Sequence, residues 1–67
     1  MVGRKRRRYE CRFLDKENQQ VASVWMDCPD DTVAIAEAAI AAGIYRTEQM
    51  ARYVLRRRFR KIVCVEW

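Results

Sequence analysis

Residues 28–44, CPDDTVAIAEAAIAAGI, predict the principal helix of this chain. Pro29 is tolerated in a first helical turn, where the carboxylates of Asp30 and Asp31 complement the helix dipole. The alanine-rich middle has high helix propensity, and Gly43 is well suited to end the helix. The helical repeat predicts a core-facing stripe made of Val33, Ala36, Ile40 and Ile44.

Two strands are predicted on the N-terminal side of this helix. Residues 9–14 alternate between apolar and polar side chains, and residues 21–28 are rich in β-branched and aromatic residues. The polar segment 15–19 between them contains Asn18, a residue that tolerates left-handed backbone, so it is predicted to be a hairpin loop. The predicted apolar faces consist of Tyr9, Cys11 and Phe13, and of Ala22, Val24, Met26 and Cys28.

A second helix and a third strand are predicted on the C-terminal side. Thr47 can cap a helix from Glu48 to Arg57 that carries Met50 and Val54 on its apolar side. The β-branched residues within 62–65 then indicate a strand. The sequence therefore predicts an α+β fold of order β-β-α-α-β, with a three-stranded sheet and both helices packed on one face. In this arrangement the third strand lies beside the first strand and parallel to it.

The length of the chain limits it to one domain with a small core. Its 67 residues are 51% apolar, and a chain of this size buries only about 60% of its unfolded surface. We assign residues 9–67 to the domain and residues 1–8 to a flexible basic arm. Because so small a core gives marginal stability, a homodimer would be an effective supplement.

Charge is distributed unevenly along the chain, whose net charge is +5. The N-terminal arm and the segment after residue 45 are basic, whereas the segment between them is acidic. Basic clusters of this kind are typical of nucleic-acid-binding proteins. The alternative is that the basic ends pair with the acidic middle, within one molecule or head to tail between molecules.

The residue types exclude most catalytic and metal-binding chemistry. The chain has three cysteines and no histidine, so we expect no zinc site, no cofactor and no enzymatic activity. Cys11 and Cys64 lie in apolar runs, where a free thiol behaves as a small buried hydrophobe. Free thiols favour a reducing, cytoplasmic location, and the longest charge-poor run is too short to span a bilayer.

Two arginine clusters carry the main functional prediction. Arginine binds phosphate through a planar, bidentate fork and also stacks on bases. In the predicted topology both clusters lie at the same end of the sheet, although Asp27, Asp30 and Asp31 lie there too. The alternatives are a solubilising arm and an ordinary solvated helix face. The candidate nucleic-acid contacts in the clusters are Arg4, Lys5, Arg6, Arg7, Arg8, Arg56, Arg57, Arg58, Arg60 and Lys61.

Residues 35–55, IAEAAIAAGIYRTEQMARYVL, partly resemble a helix-turn-helix DNA-binding segment. The match comprises Ala39, Gly43 and Ile44, while the apolar positions expected later fall one residue out of step. The resemblance implies a second helix in the DNA major groove. It favours DNA over RNA as ligand, and RNA stays the alternative. It also implies base contacts from Arg46, Gln49 and Arg52. The alternative is an ordinary helical pair packed on a sheet.

A protein partner is the second functional hypothesis. In size and charge the chain is similar to the small accessory proteins of phages and mobile elements. That similarity implies either a nucleic-acid-binding regulator or an inhibitor or adaptor that docks its basic surface on an acidic surface of a larger host or defence protein. Trp25, on the polar side of its predicted strand, is the candidate anchor for such docking, although it could instead pack against the C-terminal strand.

Overall fold

The computed structural model describes residues 6–67, which form a four-stranded antiparallel sheet with one helix on one face. The order of the strands in the sheet is β2-β1-β3-β4. The elements are β1 (Arg7–Leu14), β2 (Gln20–Cys28), α1 (Asp31–Tyr45), β3 (Arg52–Arg57) and β4 (Arg60–Glu66).

The N-terminal hairpin has the predicted form. Tyr9, Cys11 and Phe13 of β1 are fully buried against the helix, and the apolar face predicted for β2 packs beside them. Asn18 has a φ of 65° in the loop between the strands. The strand begins earlier than expected, because Arg7 and Arg8 of the predicted arm belong to β1. Arg4 and Lys5 lie outside the described residues.

The prediction of a three-stranded sheet with two helices is wrong. Residues 52–57, which were assigned to a second helix, form β3 and pair with β1 on one side and β4 on the other. Tyr53, Val54 and Leu55 are all buried. A strand buried on both faces gives a continuous apolar run, which periodicity cannot distinguish from a buried helical turn.

The position of the last strand is also corrected. The predicted third strand is β4, which pairs antiparallel with β3 at the edge of the sheet instead of lying parallel beside β1. A turn of only two residues, Arg58 and Phe59, joins β3 to β4. So short a connection forces the antiparallel arrangement, since parallel neighbours need a long crossover.

Helix α1 starts as predicted but buries a different face. The Asp30 carboxylate caps it by accepting a hydrogen bond from the Val33 backbone N–H at 2.9 Å, and the helix runs past Gly43 to Tyr45. The predicted stripe of larger residues does not face the sheet. The buried face is made of small residues instead, namely Ala34, Ala38, Ala41 and Ala42.

Side-chain size explains why α1 turns its alanines, and not its larger residues, toward the sheet. The sheet already supplies bulky groups to the core, with Tyr9, Phe13 and Leu55 fully buried. Alanines opposite them let the helix approach closely and fill the space at native packing density. A stripe of isoleucine and valine in the same place would overpack this interface. No helix in the described part of the chain is long and apolar enough to cross a membrane.

The elements run so that charged residues collect at the two ends of the sheet. We call the end that contains the start of β1, the start of α1 and the β3–β4 turn the basic end. The opposite end contains the β1–β2 loop, residues 46–51 and the C-terminus.

Candidate nucleic-acid interface

The basic end carries a concave pocket lined by arginine. Its volume is about 370 Å³. Although the fold differs from the predicted one, it brings together the two clusters that are separated by about fifty residues of sequence. The lining residues are Arg6, Arg7, Arg8, Arg57 and Arg58.

The guanidinium groups of this pocket lack acidic partners. Within residues 6–67, none of the five arginines forms an ion pair with a carboxylate. Arg6 donates a hydrogen bond from Nη1 to the backbone carbonyl of Asp27 at 2.7 Å, which positions the side chain without neutralising its charge. Like charges held together in this way repel each other, and a bound anion would relieve that repulsion.

Trp25 extends the basic end onto the sheet face that the helix does not cover. Its side chain is 54% exposed, and the Arg8 guanidinium lies 4.6 Å from the centre of its ring. This cation–π contact fixes the ring beside the pocket. Packing of Trp25 against the C-terminal strand does not occur, because β2 and β4 are at opposite edges of the sheet.

The β3–β4 turn adds an aromatic tip that the sequence analysis missed. Phe59 is 98% exposed, and Arg58 before it has a φ of 57°, in the left-handed region that a bulky residue adopts at a cost of roughly 1 kcal/mol or more. The positive φ of Arg58 allows the two-residue turn, whereas the exposed side chain of Phe59 adds no packing to the core. The sequence signal is a phenylalanine with arginine on both sides and no other apolar neighbour.

Acidic residues are present at the basic end, as predicted, but Asp31 is engaged with other groups. Asp31 accepts a hydrogen bond from the Tyr9 hydroxyl at 2.6 Å, and its other oxygen lies 4.0 Å from Arg60 Nη2. Burial, together with the hydrogen bond and the charge of Asp31, raises the pKa of Tyr9 above its usual value. Arg7 and Arg57 lie near the same hydroxyl and oppose this rise of the pKa of Tyr9. The Asp31 carboxylate therefore lies beside the arginine pocket, but it is engaged by Tyr9 and Arg60 and forms no ion pair with the lining arginines.

The remaining clustered candidates lie next to the pocket. Arg60 and Lys61 are exposed at the start of β4. Arg56 is partly buried on β3, where it is paired in register with Glu10 of β1 and Lys61 of β4. Glu10 forms an ion pair with Arg12 at 2.9 Å. Arg56 forms no ion pair with any carboxylate that the structure describes, so it adds to the positive field of the basic end.

The three candidates taken from the helix-turn-helix resemblance are at the opposite end. Arg46 follows α1 and lies 4.8 Å over the ring of Trp67, and Gln49 is in the loop that follows. Arg52 donates to the Asn18 side chain and to the Asp15 carbonyl, and it pairs with Glu66 at 3.6 Å. The second helix that would present these residues to a major groove is absent from the described chain.

Comparison with other proteins gives no independent identification. No family model, curated protein or solved structure matches this chain. The functional interpretation therefore depends on the geometry of the chain itself.

The other chemical groups of the described chain are organised for packing. Cys11 and Cys28 are buried free thiols, and burial raises the pKa of Cys11 to about 11. Cys64 is exposed, contrary to the expectation from its apolar neighbours. No group of His, Cys, Asp and Glu in residues 6–67 is arranged to hold a metal ion. Another concavity, of about 520 Å³, lies outside the arginine pocket, between β2 and the end of α1.

Proposed function

We propose that this protein binds nucleic acid through its basic end. The observation that carries the proposal is the pocket formed by arginines from β1 and the β3–β4 turn, none of which is paired with a described carboxylate. Assembling such a cluster destabilises the isolated fold by repulsion. An anionic ligand with several closely spaced phosphates would turn that repulsion into attraction.

The arrangement suits the phosphate backbone better than the edges of the bases. Each guanidinium can bind a phosphate through two parallel hydrogen bonds. The described part of the chain offers no helix at the basic end whose side chains could enter a major groove. Affinity should therefore depend steeply on salt and only weakly on sequence.

The exposed aromatic tip adds a base contact to this electrostatic surface. Phe59 projects from the turn between Arg58 and Arg60. Stacking of a base on an aromatic side chain contributes about 1–3 kcal/mol and tolerates any sequence. Phe59 can stack on an unpaired base or enter between base pairs, while the flanking arginines hold the neighbouring phosphates.

The test compares two double variants that remove the same charge from different ends. Arg57→Ala/Arg58→Ala removes two of the five arginines that line the pocket, whereas Lys16→Ala/Arg46→Ala leaves all five in place. Binding to labelled duplex DNA, single-stranded DNA and single-stranded RNA is measured by fluorescence anisotropy at several salt concentrations. We expect the pocket variant to bind at least about tenfold more weakly, with a salt slope lower by about two, because each lost phosphate contact lowers the slope by about one.

The variant at the opposite end distinguishes binding at a defined site from attraction by net charge. Equal losses in both double variants would show that net charge alone drives binding and would reject the basic end as a site. Absence of binding near physiological salt would reject the nucleic-acid proposal altogether. The pocket would then be assigned to an acidic protein surface, the second functional hypothesis, and tested by pull-down with the same two variants.

A further inference from the structure

The outward face of α1 is apolar along its whole length. Ile44 is 69% exposed, Ile40 59% and Val33 39%. The only charged residues of the helix are Asp31 and Glu37. A helix on the surface of a soluble domain normally turns polar residues outward, and a helix that is apolar all round is covered on both sides. The sheet covers one side of α1, and within the described chain nothing covers the other side.

Small residues alternate with the large ones on this outward face. Ala36 and Gly43 are both exposed, and a Cβ added at Gly43 would meet no atom within 4 Å. The face therefore consists of projecting Val33, Ile40 and Ile44 with shallow depressions between them. Large and small positions in this order allow two helices to approach closely and interlock.

We propose that this face binds the same face of a second copy of the chain, with the two helices antiparallel. A twofold axis level with Ala38, the middle of the 15-residue helix, places Ile40 at the level of the partner's Ala36. It also places Val33 at the level of the partner's Gly43. Ile40 and Val33 thus each meet an alanine or a glycine, and Ile44 lies level with the partner's Thr32, so the face is complementary to itself.

Electrostatics select the antiparallel arrangement. At the ends of the pair, Arg46 of each copy lies level with Asp30 of the other copy. The positive N-terminus of each helix is then opposite the negative C-terminus of the other. A parallel pair would instead bring the two basic ends side by side, and the repulsion between their arginines would oppose it. In the antiparallel dimer the two arginine pockets lie at opposite extremities and both stay open.

The size of the helix sets the strength of the dimer. A helix of 15 residues is about 22 Å long at 1.5 Å per residue. One such helix pair buries less than the roughly 1,600 Å² of a standard interface, so we expect a dissociation constant in the micromolar range. The interface does not depend on nucleic acid and should form without it.

Sedimentation equilibrium of the full chain, between about 1 and 200 µM, tests the dimer. We expect the wild type to dimerise in this range and Ile40→Glu/Ile44→Glu to stay monomeric, with at least tenfold weaker association. The matched control, Trp25→Glu/Phe59→Glu, adds the same charges at exposed aromatic residues away from α1 and should dimerise like the wild type. Circular dichroism confirms that each variant is folded. A monomeric wild type at 200 µM, or equal weakening in both variants, would overturn the proposal.

Cysteine cross-linking tests the direction of the helices. In a Cys64→Ser background, Val33→Cys/Gly43→Cys should form a disulfide-linked dimer on mild oxidation, because these positions meet across an antiparallel pair. Val33→Cys alone should remain largely uncrosslinked. Efficient cross-linking of the single variant would indicate parallel helices and would contradict the proposed arrangement.

Discussion

The two ends of the sheet use the same residue type in opposite ways. At the opposite end, Arg52 is held by Asp15, Asn18 and Glu66, and Arg46 lies on Trp67. At the basic end, the five pocket arginines surround a concavity and have no acidic partner among the described residues.

The difference shows how partners decide the role of an arginine. An arginine with a carboxylate and an acceptor amide in reach stabilises the fold and has little capacity left for a ligand. An arginine held among other arginines, with no carboxylate partner, contributes less to stability and keeps most of its capacity for an anion, although Arg6 and Arg8 each make one contact within the fold. The aromatic residues follow the same division, since Trp67 stacks on Phe13 at 6.3 Å whereas Phe59 is exposed.

The largest contrast is expected between these two aromatic residues. Trp67→Ala removes contacts with Phe13, Tyr53 and Arg46 and should lower the free energy of unfolding by about 2 kcal/mol. Phe59→Ala should change it by less than about 0.5 kcal/mol, because the side chain contacts almost nothing. Urea unfolding measures both values.

Affinity should show the reverse order. Phe59→Ala should weaken binding of single-stranded DNA by about fivefold or more through the lost stacking, while Trp67→Ala should leave affinity unchanged as long as the protein is folded. If Phe59→Ala destabilised the protein as much as Trp67→Ala, the tip would belong to the core and the division between the two ends would fail.

A smaller contrast is expected between two arginines of the same strand. Arg52→Ala loses its bonds to the β1–β2 loop and to Glu66, which should cost about 1 kcal/mol because the site is partly exposed to solvent. Arg57→Ala should leave stability unchanged or slightly raise it, since it removes a repelling charge. Thermal unfolding at low salt compares them. A larger loss for Arg57→Ala would reveal a structural partner for that residue.

The smallest effect concerns the loss of stability at high pH through two buried groups, Tyr9 and Cys11. The folded state raises the pKa of Tyr9 above 10.0 and that of Cys11 from 9.0 to about 11. Both groups keep their protons in the fold and lose them sooner when unfolded. The stability that Cys11 contributes is therefore complete below about pH 9 and is lost as the pH rises through about 11, while the contribution of Tyr9 is lost above the usual pKa of a tyrosine.

Tyrosine variants separate the contributions to this alkaline loss. Tyr9→Phe should lower stability at pH 7 by roughly 0.5–1 kcal/mol through the lost bond to Asp31, and its stability should fall less steeply above pH 10. Tyr53→Phe serves as control at pH 7, where it should match the wild type because its hydroxyl makes no side-chain hydrogen bond in the described structure. Burial also raises the pKa of Tyr53, so this variant too should lose stability less steeply at high pH. Urea midpoints between pH 7 and 11 measure the effect. Identical curves for Tyr9→Phe and the wild type would show that Tyr9 does not contribute to the alkaline loss of stability.

Local signals in the sequence predicted the first half of the fold but not the second. The alternation of Tyr9, Cys11 and Phe13, the β-branched and aromatic residues of 21–28, and the proline and aspartates of 29–31 identified β1, β2 and the start of α1. For residues 52–57 these signals fail, because the strand is buried on both faces and has no alternating pattern. Its identity is decided by pairing with β1, about forty residues earlier, which no local pattern contains.

The candidate site was predictable in composition and only partly in geometry. The sequence placed the two arginine clusters at one end, and the structure brings Arg6, Arg7, Arg8, Arg57 and Arg58 into one pocket. The sequence could not show that the Arg52 guanidinium is bonded within the fold, since the residues that bond it are far away along the chain. Phe59 was missed because a lone aromatic in a basic run indicates a tip only when the two-residue turn is known.

The unequal burial of the three cysteines makes the molecule easy to label. Cys11 and Cys28 are inside the core, and a buried thiol with a raised pKa reacts slowly with maleimides. Cys64 is exposed on β4, paired in register with Val54 of β3, so one dye can be attached to the native sequence without engineering. Because the neighbouring Val63 and Val65 turn toward the helix side, the dye lies on the uncovered sheet face, where it would report ligand binding while leaving the outward face of α1 free.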